Sequence, residues 1–96
     1  MKVSYVYMLR CSDHTYYTGV TSNLEKRIQE HKTGTHVKSY TYSRRPVKLV
    51  FYAEFSDIRM AIEKEKQLKK WSRAKKEALI QENYNSLPNL AKKKFR

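Results

Sequence analysis

Four side chains in the first third of the chain are of types that suit a phosphodiester. Tyr5-Val6-Tyr7 and Tyr16-Tyr17-Thr18-Gly19 supply phenols, and Arg27 and His31 supply a guanidinium and an imidazole. Aromatic and cationic groups gathered on one scaffold are what such a substrate needs. Arg27 and His31 are four residues apart, so on a helix they share a face and can grip one ligand. The blander reading makes Arg27 a surface partner of Glu30, His31 a rim histidine, and both tyrosines core aromatics.

A carboxylate joins this set from further along. Ser56-Asp57 caps a predicted helix over residues 57–70. At about 100° per residue, Ala61, Ile62 and Leu68 fall on one face with the reference Ile58, and Glu65 falls in the middle of it. Glu63 points nearly the other way. An acid within an apolar stripe is costly unless it meets a cation. A bound metal, Arg27, or simply Lys69 one turn on could be that cation.

The elements that must position these groups follow from pattern. Residues 3–9 and 15–20 read as strands joined by a turn at Ser12-Asp13-His14. The two-residue period puts Tyr5, Tyr7 and Leu9 on one face and Tyr17 and Gly19 on one face of the partner. It does not set the register between them. Gly19 inside a strand marks a bulge or a close approach. Ser22-Asn23-Leu24-Glu25 matches a capping box opening a first helix, with Leu24, Arg27, Ile28 and His31 as its stripe and Gly34 as its stop. Residues 35–46 read as a polar loop. Residues 47–55 read as a third strand with Val47, Leu49, Phe51, Ala53 and Phe55 on one face. Ser72 caps a third helix over 73–82. Residues 1–82 are expected to form one domain and 83–96, with Lys92-Lys93-Lys94, a basic C-terminal extension.

Charge narrows the partner. The 96 residues carry a formal +12, from 21 Lys and Arg against 9 Asp and Glu. Residues 1–56 hold 9 basic and 4 acidic side chains and residues 57–96 hold 12 and 5, so the excess is not confined to a tail. On a small domain this is the footprint of a polyanion binder, with nucleic acid expected; solubility alone is the duller account. Tyr40, Arg44, Arg45 and Lys48, in and after the loop, suit base stacking and phosphate contact. Lys69, Lys70, Arg73, Lys75 and Lys76 suit a backbone-binding surface. The single Cys11 excludes an internal disulfide and any multi-cysteine zinc site, and fits a reducing compartment. No run approaches membrane-spanning length and no signal segment opens the chain, so a cytoplasmic, non-membrane protein is expected. His14 and His36 receive no chemical role.

The ordered set resembles the GIY-YIG nuclease superfamily, in particular its small stand-alone bacterial members. Tyr5-Val6-Tyr7 stands where GIY would, and Tyr17-Thr18-Gly19 where YIG would. Arg27, His31 and Glu65 follow in the family's order, as do Arg44 to Val50 and Ser72 to Ile80. The resemblance spans about residues 3–82. It implies an α+β fold, a three-stranded antiparallel sheet flanked by helices. It also implies a metal-dependent endonuclease, of repair or recombination type, acting on DNA ahead of RNA and using a single Mg²⁺ or Mn²⁺. Glu65 would hold the metal, Tyr7 would be the general base, and Tyr17 would orient water or phosphate. Arg27 would stabilise the transition state, and His31 would bond a tyrosine or assist proton transfer. Tyr5 replaces the first glycine and Thr18 the isoleucine. Asn83 and Asn85 are the asparagines available for the family's late position. A non-catalytic nucleic-acid-binding module, or an accessory subunit of a repair complex, is the competing expectation.

Overall fold

The hairpin forms because its turn satisfies itself. Asp13 accepts from the Thr15 amide at 3.2 Å and the Thr15 hydroxyl at 2.6 Å. His14 sits at φ 68, a left-handed turn conformation. The computed structural model describes residues 2–83. The strands are β1 (Ser4–Arg10), β2 (Tyr16–Thr21) and β3 (Lys48–Phe55). The helices are α1 (Leu24–Thr33), α2 (Ile58–Lys70) and α3 (Arg73–Asn83), and Tyr42–Arg44 forms one 3₁₀ turn. Residue 83 closes α3; Asn85 and the Lys92-Lys93-Lys94 run lie outside the described residues.

The sheet is three-stranded and antiparallel in the order β2-β1-β3. As the centre strand, β1 is covered on both faces, and Val6, Tyr7, Met8 and Leu9 are all 0% exposed. Alternation then divides the interior in two. Tyr7, Leu9, Cys11 and Val47 pack with Leu24 and Ile28 of α1. Val6, Met8 and Phe51 pack with Ala61 and Leu68 of α2 and Leu79 and Ile80 of α3. Helix α1, which carries Arg27 and His31, and the acid-bearing helix α2 therefore lie on opposite faces of one sheet. Among the described residues, no helix is long and apolar enough to cross a membrane.

Two sequence expectations need correction. The single apolar face of β3 is split, because its register slips between Met8 and Leu9: Met8 pairs with Phe51 but Leu9 with Leu49. The extra residue, Val50, is a bulge, and a bulge moves side chains beyond it to the other face. Phe51, Ala53 and Phe55 face α2, while Val47 and Leu49 join Tyr7 and Leu9. The cap of α1 also moves by one. Asn23, not Ser22, accepts from the Lys26 amide at 3.1 Å, because its carboxamide reaches the third helical amide. Gly34 ends α1 at φ 73, as expected. Asp57 caps α2 and Ser72 accepts from the Lys75 amide at the start of α3.

Register resolves what alternation left open. Tyr7 pairs with Gly19, and Leu9 with Tyr17. The close approach expected at Gly19 is made by Tyr7 itself: a Cβ at position 19 would lie 2.5 Å from Tyr7 Oη and 2.6 Å from Cζ. Gly19→Ala is expected to destabilise by about 1–3 kcal/mol through overpacking, lowering Tm by roughly 4–8 °C per kcal/mol. An ordinary strand glycine would gain from the same change, so a thermal melt at or above wild type would contradict this packing.

Candidate functional site

Between α1 and the sheet, buried polar groups form one chain. Tyr7 Oη lies 2.8 Å from His31 Nε2, and His31 Nδ1 lies 2.7 Å from Thr41 Oγ1. Thr41 Oγ1 lies 3.2 Å from Ser39 Oγ. His31 is 7% exposed and Thr41 1%. Burial, and after it the Arg27 charge, pulls His31 below its ordinary 6.5, so the imidazole is neutral. A neutral imidazole has one donor and one acceptor, and two hydroxyls satisfy both. Burial pushes the Tyr7 hydroxyl up to about 12, with Arg27 opposing. Tyr7 is thus a neutral phenol in the metal-free protein.

Arg27 and Tyr17 flank this chain. Tyr17 is 6.2 Å, centroid to centroid, from Tyr7 and 5.2 Å from His31. Unlike Tyr7 it is half-exposed. Arg27 Nη1 donates to Glu30 at 3.5 Å, the partner of the blander reading, and Glu30 also lies 3.4 Å from His36. Yet Arg27 Nε is buried with no hydrogen-bond partner. The same holds for Thr18 Oγ1 on the far face of β2.

Because β2 is an edge strand, the two faces meet around its free side. A cleft of about 390 Å³ opens there, lined by Tyr16, Tyr17, Thr18, Tyr40, Lys69 and Lys76. Tyr40 stacks on Tyr17 at 6.0 Å and 21°, and Arg44 lies 3.9 Å over the Tyr40 ring. From α2, Lys69 reaches into this lining while its ammonium pairs with Glu65 at 2.9 Å. A larger hollow of about 500 Å³, between the start of α1 and β1–β3, is lined by Glu25 and Glu54 and by no cation, the wrong sign for a phosphate.

The sequence-predicted residues therefore sort into three groups. Tyr7, Tyr17, Arg27 and His31 converge, and Tyr40 joins them. Glu65 does not line the cleft, but its ion-pair partner Lys69 does. Its helical phase needs adjustment: the buried arc centres on Ala61 and Leu68, while Ile58 and Ile62 are exposed, so Glu65 sits at the rim of that arc. The remaining cations hold structure or face elsewhere. Arg44 bonds Asp13 at 3.1 Å and the Tyr40 carbonyl at 2.8 Å. Arg45 bonds the Tyr42 carbonyl at 2.8 Å and stacks on its ring. Arg73 bonds the His14 carbonyl and Glu77 and lies over Tyr16. Lys75 lies over Trp71. Lys48 is exposed opposite Arg10, and Lys70 is exposed. Thr41 and Thr18 were missed, since a threonine in a polar loop or strand carries no burial signal of its own.

Among the described residues, no three His, Cys, Asp or Glu come together. A half-buried carboxylate paired with one exposed ammonium still suits a hard divalent ion that takes one protein ligand and fills its other positions with water and phosphate.

The GIY-YIG catalytic domain matches residues 3–78. The chain belongs to the GIY-YIG family. That family is a nuclease superfamily, acting on nucleic acid and generally dependent on a divalent metal. A UPF0213 protein of Syntrophus aciditrophicus is 51% identical over 83 residues, covering 86% of this chain and 95% of its own. The UPF0213 protein YazA of Bacillus subtilis is 43% identical over 82 residues, covering 85% and 82%. The solution structure of a UPF0213 protein from Bacillus halodurans has 36% identity and a TM-score of 0.55, covering 88% of this chain and 96% of its own. That of an Enterococcus faecalis protein has 31% identity and a TM-score of 0.59, covering 88% and 90%. The GIY-YIG motif thus has a geometric meaning here: Gly19 exists for Tyr7, and Tyr7 for His31.

Two outcomes follow from the buried chain. Tyr7→Phe leaves a His31 nitrogen unpaired and costs about 1–3 kcal/mol in urea unfolding. His31 also makes stability pH-dependent. Its native pKa is lowered, so above about 6.5 both states leave it neutral. As pH falls through 6.5 towards the lowered native value, the unfolded chain binds a proton that the fold refuses, and stability drops. The urea midpoint should fall between about pH 7.5 and about pH 5.5, and fall less in His31→Asn; equal slopes would contradict a buried neutral imidazole.

Proposed function

We propose that this protein is a metal-dependent endonuclease that hydrolyses phosphodiester bonds in DNA, in repair or recombination, with its site at the free edge of β2. One observation carries the reading: Lys69, which lines a cleft with Lys76 and the stacked Tyr17 and Tyr40, pairs with the Glu65 carboxylate one helical turn back. The Tyr7–His31 pair packs against Tyr17, with Arg27 beside Tyr7.

The residues divide the work by exposure. Tyr17, half-exposed at the cleft, meets the scissile phosphate or the attacking water. Arg27, partly exposed and interacting with Tyr7, donates from its guanidinium to a phosphate oxygen as charge develops there. Tyr7 is fully buried and its hydroxyl sits at about 12, which favours it as the group that fixes Tyr17 and Arg27 over the ionised base the resemblance implies. His31, neutral, is the proton acceptor within reach of Tyr7. Tyr40 stacks on a base or sugar beside Tyr17, and Lys69 and Lys76 carry phosphate contact. Glu65 would hold a Mg²⁺ or Mn²⁺ ion, which when bound polarises the phosphate and lowers the pKa of water. The second reading, a binding module or accessory subunit without cleavage, is favoured by one observation: the phenol named by the motif is fully buried.

Cleavage of plasmid, branched and single-stranded DNA with Mg²⁺ or Mn²⁺ separates the two. Glu65→Ala and Arg27→Ala are each expected to lower the rate about 10²–10³-fold, and Tyr17→Phe to lower it more than Tyr7→Phe does relative to the stability each variant retains. DNA binding with no metal-dependent cutting of any of these substrates would establish the binding module instead.

A further inference from the structure

The Glu65–Lys69 pair spans one turn of α2 at 2.9 Å, but its two members live in different surroundings. Glu65 is 19% exposed and Lys69 is 55% exposed. Glu65 borders buried Ala61 and Leu68, where a carboxylate needs a cation close by. Lys69 borders Tyr17, Thr18, Tyr40 and Lys76 in the cleft. A flexible four-carbon stem lets one ammonium turn to either side. It cannot fully neutralise the carboxylate and an anion in the cleft at the same time.

We infer that Lys69 is an exchangeable counter-ion: it neutralises Glu65 in the metal-free protein and turns to the substrate phosphate when a divalent ion takes the carboxylate. This rests on the function proposed above and assigns Lys69 a place in it. Charge accounting gives the exchange its direction. Paired with Lys69, Glu65 leaves the rim neutral. A divalent ion on Glu65 leaves one net positive charge there and releases a second on Lys69. A bound phosphate that draws Lys69 away in turn uncovers Glu65 for the ion. Metal and DNA therefore strengthen one another's binding, reciprocally. Lys76 is the built-in comparison, since it lines the same cleft and forms no ion pair among the described residues.

Two measurements on the full chain test this without relying on cleavage. Mn²⁺ affinity in the absence of DNA should tighten in Lys69→Met by on the order of tenfold, as a competing charge within a few ångströms is removed, and hardly at all in Lys70→Met. DNA affinity by fluorescence anisotropy supplies the second. In EDTA, Lys69→Met should weaken binding by about twofold or less, and with Ca²⁺ by about five- to tenfold, whereas Lys76→Met should weaken it equally in both. Thermal melts check folding, and Lys69→Gln repeats each arm with a polar side chain. Mn²⁺ binding that requires Glu65 but is unmoved by Lys69→Met, or equal Lys69 losses with and without Ca²⁺, would overturn the exchange alone. Mn²⁺ binding indifferent to Glu65→Ala would overturn the exchange together with the metal role.

Discussion

The Tyr7 phenol occupies the space that any side chain at position 19 would need. That one steric fact aligns most of the site. It fixes β1 against β2 in the register that pairs Tyr7 with Gly19, and the register sets Tyr17 two residues along on the same face. With its ring laid over the glycine, Tyr7 ends 2.8 Å from His31. A neutral imidazole held between Tyr7 and Thr41 then ties α1 and the loop after it to the sheet. Remove the contact, and strand register, helix placement and loop anchoring lose a common reference.

Sheet order supplies the second constraint. Helices on opposite faces cannot share a site through a strand whose side chains fill both interiors. They can share one around a free edge, and β2 is that edge. Tyr17 approaches from the α1 face and Lys69, carrying Glu65, from the α2 face. The aromatic stack of Arg44, Tyr40 and Tyr17 closes one wall. Cations expected to bind nucleic acid divide accordingly: Arg44, Arg45 and Arg73 are spent on tyrosine faces and backbone carbonyls, and Lys69 and Lys76 are left for the cleft.

Local signals were legible wherever a residue type has a single physical use. Gly34 at the end of α1, Asp57 and Ser72 at helix starts, and the alternation of β1 all reappear as read. Failures lie where one residue shifts a pattern. Val50 bulges and turns Leu49 to the other face, which no alternating count over Val47–Phe55 can show. Asn23 caps in place of Ser22 because two neighbouring residues could each serve. Glu65 was found by helical phase, but Ile58 and Ile62, counted as inward, are exposed, and the acid sits at the rim rather than at the centre of the buried arc.

Sequence by itself determined the candidate set: two phenols, an arginine, a histidine and an acid in a fixed order, on strands and helices set by short-range patterns. It could do so because residue type and local period depend only on near neighbours along the chain. Tertiary structure decided which phenol faces solvent, which cation meets Glu65, and where the opposite faces of the sheet come together. Those depend on burial, register and strand order, which arise from contacts between residues distant in the chain. Tyr7 and Tyr17 are both tyrosines in strands, and only the packing of β1 at the centre and β2 at the edge makes one fully buried and leaves the other half-exposed at the cleft.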